Sequence, residues 1–327
     1  MENTLTKYTL LISIFLSLFF ASCSPQVTSS PSSIPTIQAT ITETPTPTFT
    51  HLPISTSIPT QTITPTSNPT QTPAPEPVEV VNVMQYNVLW GGRHTFACAR
   101  KSGKGDKFES IMNIILKANP DILIVNEACD WDKLAPHIVD RLDMNDYFVP
   151  DVFSPPAIFT KFEIVDASFA EITPNGKWNY PFILTHAVVK TPNNELLNIF
   201  ATHLAPEPAT KEGIEKKREQ VSAITDHLKS FSNQRYMVIG DMNGQYILYQ
   251  DIFDKVNLTG LKNAGVNFRW TSRLLRTIDQ IWISPSMKFQ PWSQNQEYYD
   301  NLKSTSHLWE DTSDHNPEAA VIGIYPP

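Results

Sequence analysis

The sequence predicts an α/β fold with two mixed β-sheets face to face and helices outside, confined to residues 78–327. Two observations carry this. From Val78 onward, short apolar runs rich in Val, Ile and Phe alternate with longer segments of helical spacing. The early order is strand, helix, strand, after which hairpin-like pairs follow, such as Phe182 to Lys190 with Leu196 to Thr202 across the turn Pro192-Asn193-Asn194. Parallel and hairpin connections in one chain give mixed sheets, whose apolar faces must be covered by each other and by helices.

In chain order, strands are expected at Val78 to Tyr86, Ile122 to Val125, Ala157 to Thr160, Phe182 to Lys190, Leu196 to Thr202, Tyr236 to Ile239, Thr277 to Ser284 and Ala319 to Ile324. Asp106 to Ala118 reads as a helix because Phe108, Ile111, Ile114 and Ile115 share one face, and Asn119-Pro120 stops it. Lys211 to Phe231 reads as a longer helix with Ile214, Val221, Ile224 and Leu228 inward. There are no internal repeats.

Upstream of this domain the chain has no means of building a core. Residues 24–77 are almost wholly Thr, Pro, Ser and Gln, without apolar periodicity, and are expected to form a disordered stalk. Repeated Pro favours polyproline II, so the stalk would reach on the order of 100 Å. Before it, Leu10 to Phe20 is apolar but too short to span a bilayer. The run Phe20-Ala21-Ser22-Cys23 resembles the bacterial lipoprotein signal, although Phe20 stands where Leu is usual and Lys7 is the only basic residue ahead of it. That resemblance implies cleavage before Cys23, lipidation of its thiol and an extracytoplasmic, membrane-anchored location. An ordinary secretory signal or an uncleaved anchor are the alternatives.

A net charge of −8 does not support a bulk electrostatic grip on nucleic acid. Local charge differs. Arg93, Arg100, Lys101, Lys104 and Lys107 crowd one segment, and Arg269, Arg273 and Arg276 another. Cys98 and Cys129 match no zinc spacing; in an oxidising compartment a disulfide between them is allowed but not demanded.

The chemistry sits at strand ends. Asn87, Glu127 and His203 close predicted strands, and Asp241 and Asn243 follow Tyr236-Met237-Val238-Ile239. Asp279 opens the strand leading to Ser284, and Asp314-His315 precede the last one. If the last two strands run antiparallel to the others, all these groups meet on one rim. Each alone is an ordinary cap or turn residue; their coincidence is not ordinary.

The runs Gln85-Tyr86-Asn87, Asn126-Glu127, Thr202-His203, Gly240-Asp241-Met242-Asn243, Arg276-Thr277-Ile278-Asp279-Gln280-Ile281 and Ser313-Asp314-His315-Asn316-Pro317 resemble, in order and spacing, the motifs of the endonuclease/exonuclease/phosphatase superfamily. The resemblance spans Val80 to Ile324 and implies the DNase I-like four-layer α/β/β/α sandwich. Two departures are Asn126 where Gln is usual and Gln280 where Tyr is frequent.

Phosphodiester hydrolysis needs an in-line water, a base, and charge neutralisation on the phosphoryl oxygens. Glu127, assisted by Asn87, is expected to hold a hard divalent cation: Mg²⁺ by default, Mn²⁺ or Ca²⁺ as possible substitutes, with Asp314 as a second ligand. His315 oriented by Asp279 forms a base pair, and by resemblance His315 activates the water. Asp241 would position water or metal, while Asn243 and His203 donate to the phosphoryl oxygens. Arg93, Arg100, Lys101 and Arg276 are expected to hold an anionic phosphodiester, nucleic acid foremost, on a monomeric enzyme. The alternatives are a sphingomyelinase-type phospholipid phosphodiesterase, for which Trp292 and Trp309 are candidate membrane-entering residues, a phosphatase, or an inactive surface-binding domain. Serine hydrolase and zinc protease readings fail, since neither Gly-x-Ser-x-Gly nor His-Glu-x-x-His occurs.

Overall fold

A computed structural model describes residues 75–88, 106–128, 131–152, 154–172, 182–261, 278–313 and 315–326. Cys23, the stalk up to residue 74, Arg93, Cys98, Arg100, Lys101, Cys129, Arg276 and Asp314 lie outside them.

The alternating apolar runs form two six-stranded sheets. In the first, β1 (Glu79–Asn87) lies between β2 (Ile122–Asn126) and β12 (Glu318–Ile324). Beyond β2 come β4 (Ala157–Thr160) and β3 (Asp146–Phe148), and beyond β12 comes β11 (Met287–Phe289). The second runs β5 (Glu163–Glu171), β6 (Ile183–Lys190), β7 (Leu196–His203), β8 (Tyr236–Asp241), β10 (Asp279–Ile283), β9 (Thr259–Gly260).

Two parallel pairs are made by helical crossovers. The helix α1 (Asp106–Ala118) joins β1 to β2, and α3 (Lys211–Leu228) joins β7 to β8. Thr210 caps α3 by accepting from the Gly213 N–H at 3.2 Å. The last expected turn of that helix, Lys229–Phe231, tightens into 3₁₀ geometry. On the other side of the domain, α1 packs with α2 (Trp131–Leu142), α4 (Gln296–Ser304) and α5 (Ser306–Thr312) against Met84, Tyr86, Leu123, Val125 and Phe159 of the first sheet. The second sheet turns Phe200, Val238 and Trp282 to α3 through Val221, Ile224 and Leu228. The expected four layers are therefore present.

Between the sheets the pleat sets which residues meet. Val81 and Val83 of β1, Ile122 and Ile124 of β2, and Ala320, Ile322 and Ile324 of β12 face Ile199, Ala201, Met237, Ile239, Ile281 and Ile283 of the second sheet. Burying each Ile there is worth about 1.5–3 kcal/mol. Strand β12 runs antiparallel to β1, and β10 antiparallel to β8. The starts of β10 and β12 thus fall at the ends of β1, β2, β7 and β8.

Two expectations are corrected. Trp309 is buried among α1 and first-sheet residues, and its indole N–H donates to Thr305 Oγ1 at 3.0 Å, so it has no membrane-facing surface. Ile214 is only partly buried, because the inward stripe of α3 runs instead through Gly213, Lys217, Gln220 and Val221.

Candidate active site

The inner-face alternation that places isoleucines in the core continues to the rim, where it turns polar. One pleat past Val83 come Gln85 and Asn87; past Ile124, Asn126; past Ala201, His203; past Ile239, Asp241. Before Ile281 comes Asp279, and before Ala320 comes Glu318. Strand register then assembles them: His203 lies opposite Asp241, Asp241 opposite Asp279, and Asn87 opposite Asn126.

Asn87 gathers two carboxylates. Its side-chain nitrogen donates to Glu127 Oε1 at 2.9 Å and to Asp241 Oδ2 at 3.0 Å. The second carboxylate oxygen of Asp241 accepts from the Asn243 backbone N–H at 2.7 Å. His203 Nε2 lies 3.5 Å from Glu127 Oε1 and 3.7 Å from Asp241 Oδ2. One ligand atom each from Glu127, His203 and Asp241 fall within 4.8 Å of one another, as do those of Asp241, Asp279 and His315. Such oxygen-rich sets suit a hard divalent cation, each with a single imidazole and no thiolate.

Next to it stands the base pair. His315 Nδ1 is 2.7 Å from Asp279 Oδ2, a bond that assigns the proton to Nδ1 and leaves Nε2 turned towards Asp241 Oδ2 at 3.6 Å. Asp279 is fully buried, and that burial together with the Asp241 charge pushes its carboxyl above the usual range, against the pull of His315. The loop delivering His315 is tied down: Ser313 Oγ donates to Asn87 O at 2.7 Å and accepts from the His315 N–H at 3.1 Å.

Backbone geometry shows what this convergence costs. Glu127 (φ 54°) and Asn243 (φ 45°) both occupy the left-handed region. Asn tolerates it, whereas a Glu there costs about 1–2 kcal/mol, so the chain bends sharply off β2 to bring the carboxylate over the rim. At Gly240 a Cβ would sit 1.9 Å from Thr202 O, so only glycine lets β8 approach β7 ahead of Asp241. Buried Lys217 reaches from α3 to donate to Asn243 O at 2.8 Å and Glu207 O at 2.9 Å, fixing the loop that carries Asn243.

The structure therefore brings together Asn87, Glu127, His203, Asp241, Asn243, Asp279 and His315. Sequence reasoning gave no role to the supports: Gln85 and Ser313, which stand within the motif runs, and Lys217 and Glu318, which do not. For Gln85 and Glu318 the signal was present, as polar residues on the apolar phase of a core strand.

A model of the endonuclease/exonuclease/phosphatase family matches residues 84–315, from β1 to the imidazole of His315. The chain belongs to that family. Its members act on phosphoesters and generally use divalent metals, so the chain is a phosphoester hydrolase by family. Among solved structures, an endonuclease/exonuclease/phosphatase family protein from Bacteroides thetaiotaomicron superposes with a TM-score of 0.58 at 18% identity, covering 76% of this chain and 99% of that one. A mannosyl-6-phosphatase from the same organism gives 0.56 at 18%, covering 74% and 99%. The human Nocturnin catalytic domain with bound sulfate gives 0.57 at 17%, covering 75% and 94%. Likeness at these identities establishes the fold. No curated protein sequence matches the chain. Of the two departures from the family motifs, Asn126 donates to Thr202 O at 3.2 Å and so links the sheets. Gln280 bridges Gly244 O at 2.6 Å and the Trp282 indole at 3.0 Å, which steadies the loop after Asn243.

Proposed function

We propose that this domain hydrolyses phosphodiester bonds with a divalent cation, Mg²⁺ first and Mn²⁺ or Ca²⁺ as substitutes, and that its substrate is extracytoplasmic nucleic acid. The observation that carries the hydrolase reading is the polarised His315, its Nδ1 engaged by buried Asp279 and its Nε2 facing the carboxylate cluster. A water lodged between Nε2 and Asp241 loses its proton to Nε2 as it attacks phosphorus, and Asp279 stabilises the imidazolium. Asp241 orients that water. His203, and the amide N–H of Asn243 other than the one given to Leu204 O at 2.7 Å, donate to the phosphoryl oxygens as charge builds. Glu127, steadied by Asn87, and Asp314 would hold the cation, which when bound neutralises phosphoryl charge and favours departure of the leaving oxygen.

Nucleic acid is favoured by the basic residues that follow Asn87 in sequence (Arg93, Arg100, Lys101) and by Arg276 ahead of Asp279, which would grip flanking phosphates. We place the domain at the outer surface of a bacterial membrane, as a monomer on the Thr/Pro stalk, held by lipid on Cys23. A phosphatase is the second reading, prompted by the fold shared with a mannosyl-6-phosphatase.

The test is a substrate panel with the full chain: plasmid DNA, RNA, sphingomyelin, bis-p-nitrophenyl phosphate and mannose 6-phosphate, with Mg²⁺ and with EDTA. Nicking of plasmid that EDTA abolishes, and that His315→Ala lowers by about 10³-fold with unchanged melting temperature, is expected. Turnover of mannose 6-phosphate alone would replace the nuclease reading with the phosphatase; full activity in His315→Ala would end both.

A further inference from the structure

Two buried polar residues of the first sheet lie behind the base pair and take no part in the chemistry above. Gln85 and Glu318 are direct cross-strand partners on β1 and β12. Both occupy the phase of alternation that carries Val83, Ala320 and Ile322 into the space between the sheets. Opposed residues in an antiparallel pair hold their Cβ atoms about 5 Å apart, so the two side chains leave their strands together towards β10. Gln85 is fully buried and Glu318 nearly so.

The contacts of Gln85 are lopsided. Its Nε2 donates to Asp279 Oδ1 at 2.8 Å, the carboxylate oxygen that His315 does not use. Because a carboxylate only accepts, the amide must present nitrogen to Asp279 and turn its oxygen away. That oxygen, Gln85 Oε1, is buried and has no hydrogen-bond partner among the described residues. Glu318 has the complementary problem: it is a buried carboxyl with no cation paired to it among the described residues, and the charge it feels is the like charge of Asp279.

We propose that Gln85 and Glu318 are positioning residues for the Asp279–His315 pair, with Glu318 as a neutral acid donating to Gln85 Oε1 and so locking the amide that holds Asp279 Oδ1. Oδ2 is then left for His315 Nδ1, which keeps Nε2 as the basic nitrogen. An ionised Glu318 would set acceptor against acceptor. Burial, reinforced by Asp279, drives the Glu318 carboxyl well above the ordinary range, in the direction that favours the neutral acid the donation needs. The clamp deepens the proposed hydrolase reading and rests on it only for its kinetic consequence.

Three single variants and one double variant of the full chain decide the matter: Glu318→Gln, which is neutral, of the same shape and still a donor; Glu318→Leu; Gln85→Leu; and Gln85→Leu with Glu318→Leu. The first readout is the downfield proton resonance of the His315 Nδ1–H, assigned by its disappearance in His315→Ala. It is expected to persist in Glu318→Gln and to broaden or vanish in both leucine variants. The second is hydrolysis of bis-p-nitrophenyl phosphate with Mg²⁺. Glu318→Leu and Gln85→Leu are each expected to lose about tenfold in kcat with KM unchanged, the double variant to lose no more than either single, and Glu318→Gln to stay within about twofold of wild type. A leucine variant at 318 with normal resonance and kcat overturns the clamp, as does a Glu318→Gln variant as impaired as Glu318→Leu. If the wild type does not cleave this substrate at all, the phosphodiesterase reading falls, while the resonance still decides the clamp.

Discussion

The two ends of the space between the sheets are built from the same strands and the same pleat, yet hold opposite chemistry. At one end Val81, Ile122, Ile283, Ile322 and Ile324 meet side chain to side chain and need no orientation beyond shape. At the other, Gln85, Asn87, Asp241, Asp279 and His315 are just as buried, but each is held by directed hydrogen bonds. Hydrophobic burial is non-directional and tolerates substitution of similar volume, whereas a buried carboxylate must have its partners in place. The apolar end therefore supplies stability, and the polar end spends part of it on geometry.

Three substitutions test that division. The largest effect is expected from Asp279→Asn: an amide can present N–H to His315 Nδ1 and favour the wrong tautomer, so kcat should fall by about 10³-fold with little change in melting. If activity persists in Asp279→Asn, the polar end is not organised around His315.

At the apolar end, Ile283→Ala should cost about 2–5 kcal/mol in denaturant unfolding while kcat per folded molecule stays near wild type. A selective loss of kcat there would erase the distinction between the two ends.

The smallest effect blurs the boundary between them, at Glu318. Its folded value is raised above the unfolded one, so the stability it contributes is fully present below about pH 4.3, declines as pH rises, and is gone above the elevated folded value. Glu318→Gln removes that dependence. Its melting temperature relative to wild type should climb from pH 4 to pH 8. A flat difference would mean that Glu318 binds its proton no more tightly in the folded state than in the unfolded chain.

Much of this was legible in the sequence, for physical reasons that vary by element. Asp106–Ala118 was read to the residue because its apolar face has helical spacing and Asn119-Pro120 ends it. Trp131–Leu142 escaped because Pro136 lies within it, a residue that ordinarily breaks helices. Strand β5 escaped because most of its residues are exposed on both faces, as suits an edge strand, so Glu163–Glu171 shows no apolar alternation. At the site, the motif residues stood out because polar groups at strand ends are conspicuous. Glu318 did not, and Gln85 was seen only as part of a motif run without a role, since a polar residue inside a strand reads as an interruption until the opposite sheet shows what it faces. Lys217 was hidden for a related reason: on α3 it reads as solvated charge, and only the fold shows it bonded to two loop carbonyls.

Strand β12 follows His315 closely and pairs with β1, the earliest of the twelve strands among the described residues. A nascent chain in which the other eleven described strands have already emerged still lacks both His315 and the partner for the open edge of β1. The rim is therefore complete only with the final closure of the first sheet, when the last strand to be made brings His315 against Asp279.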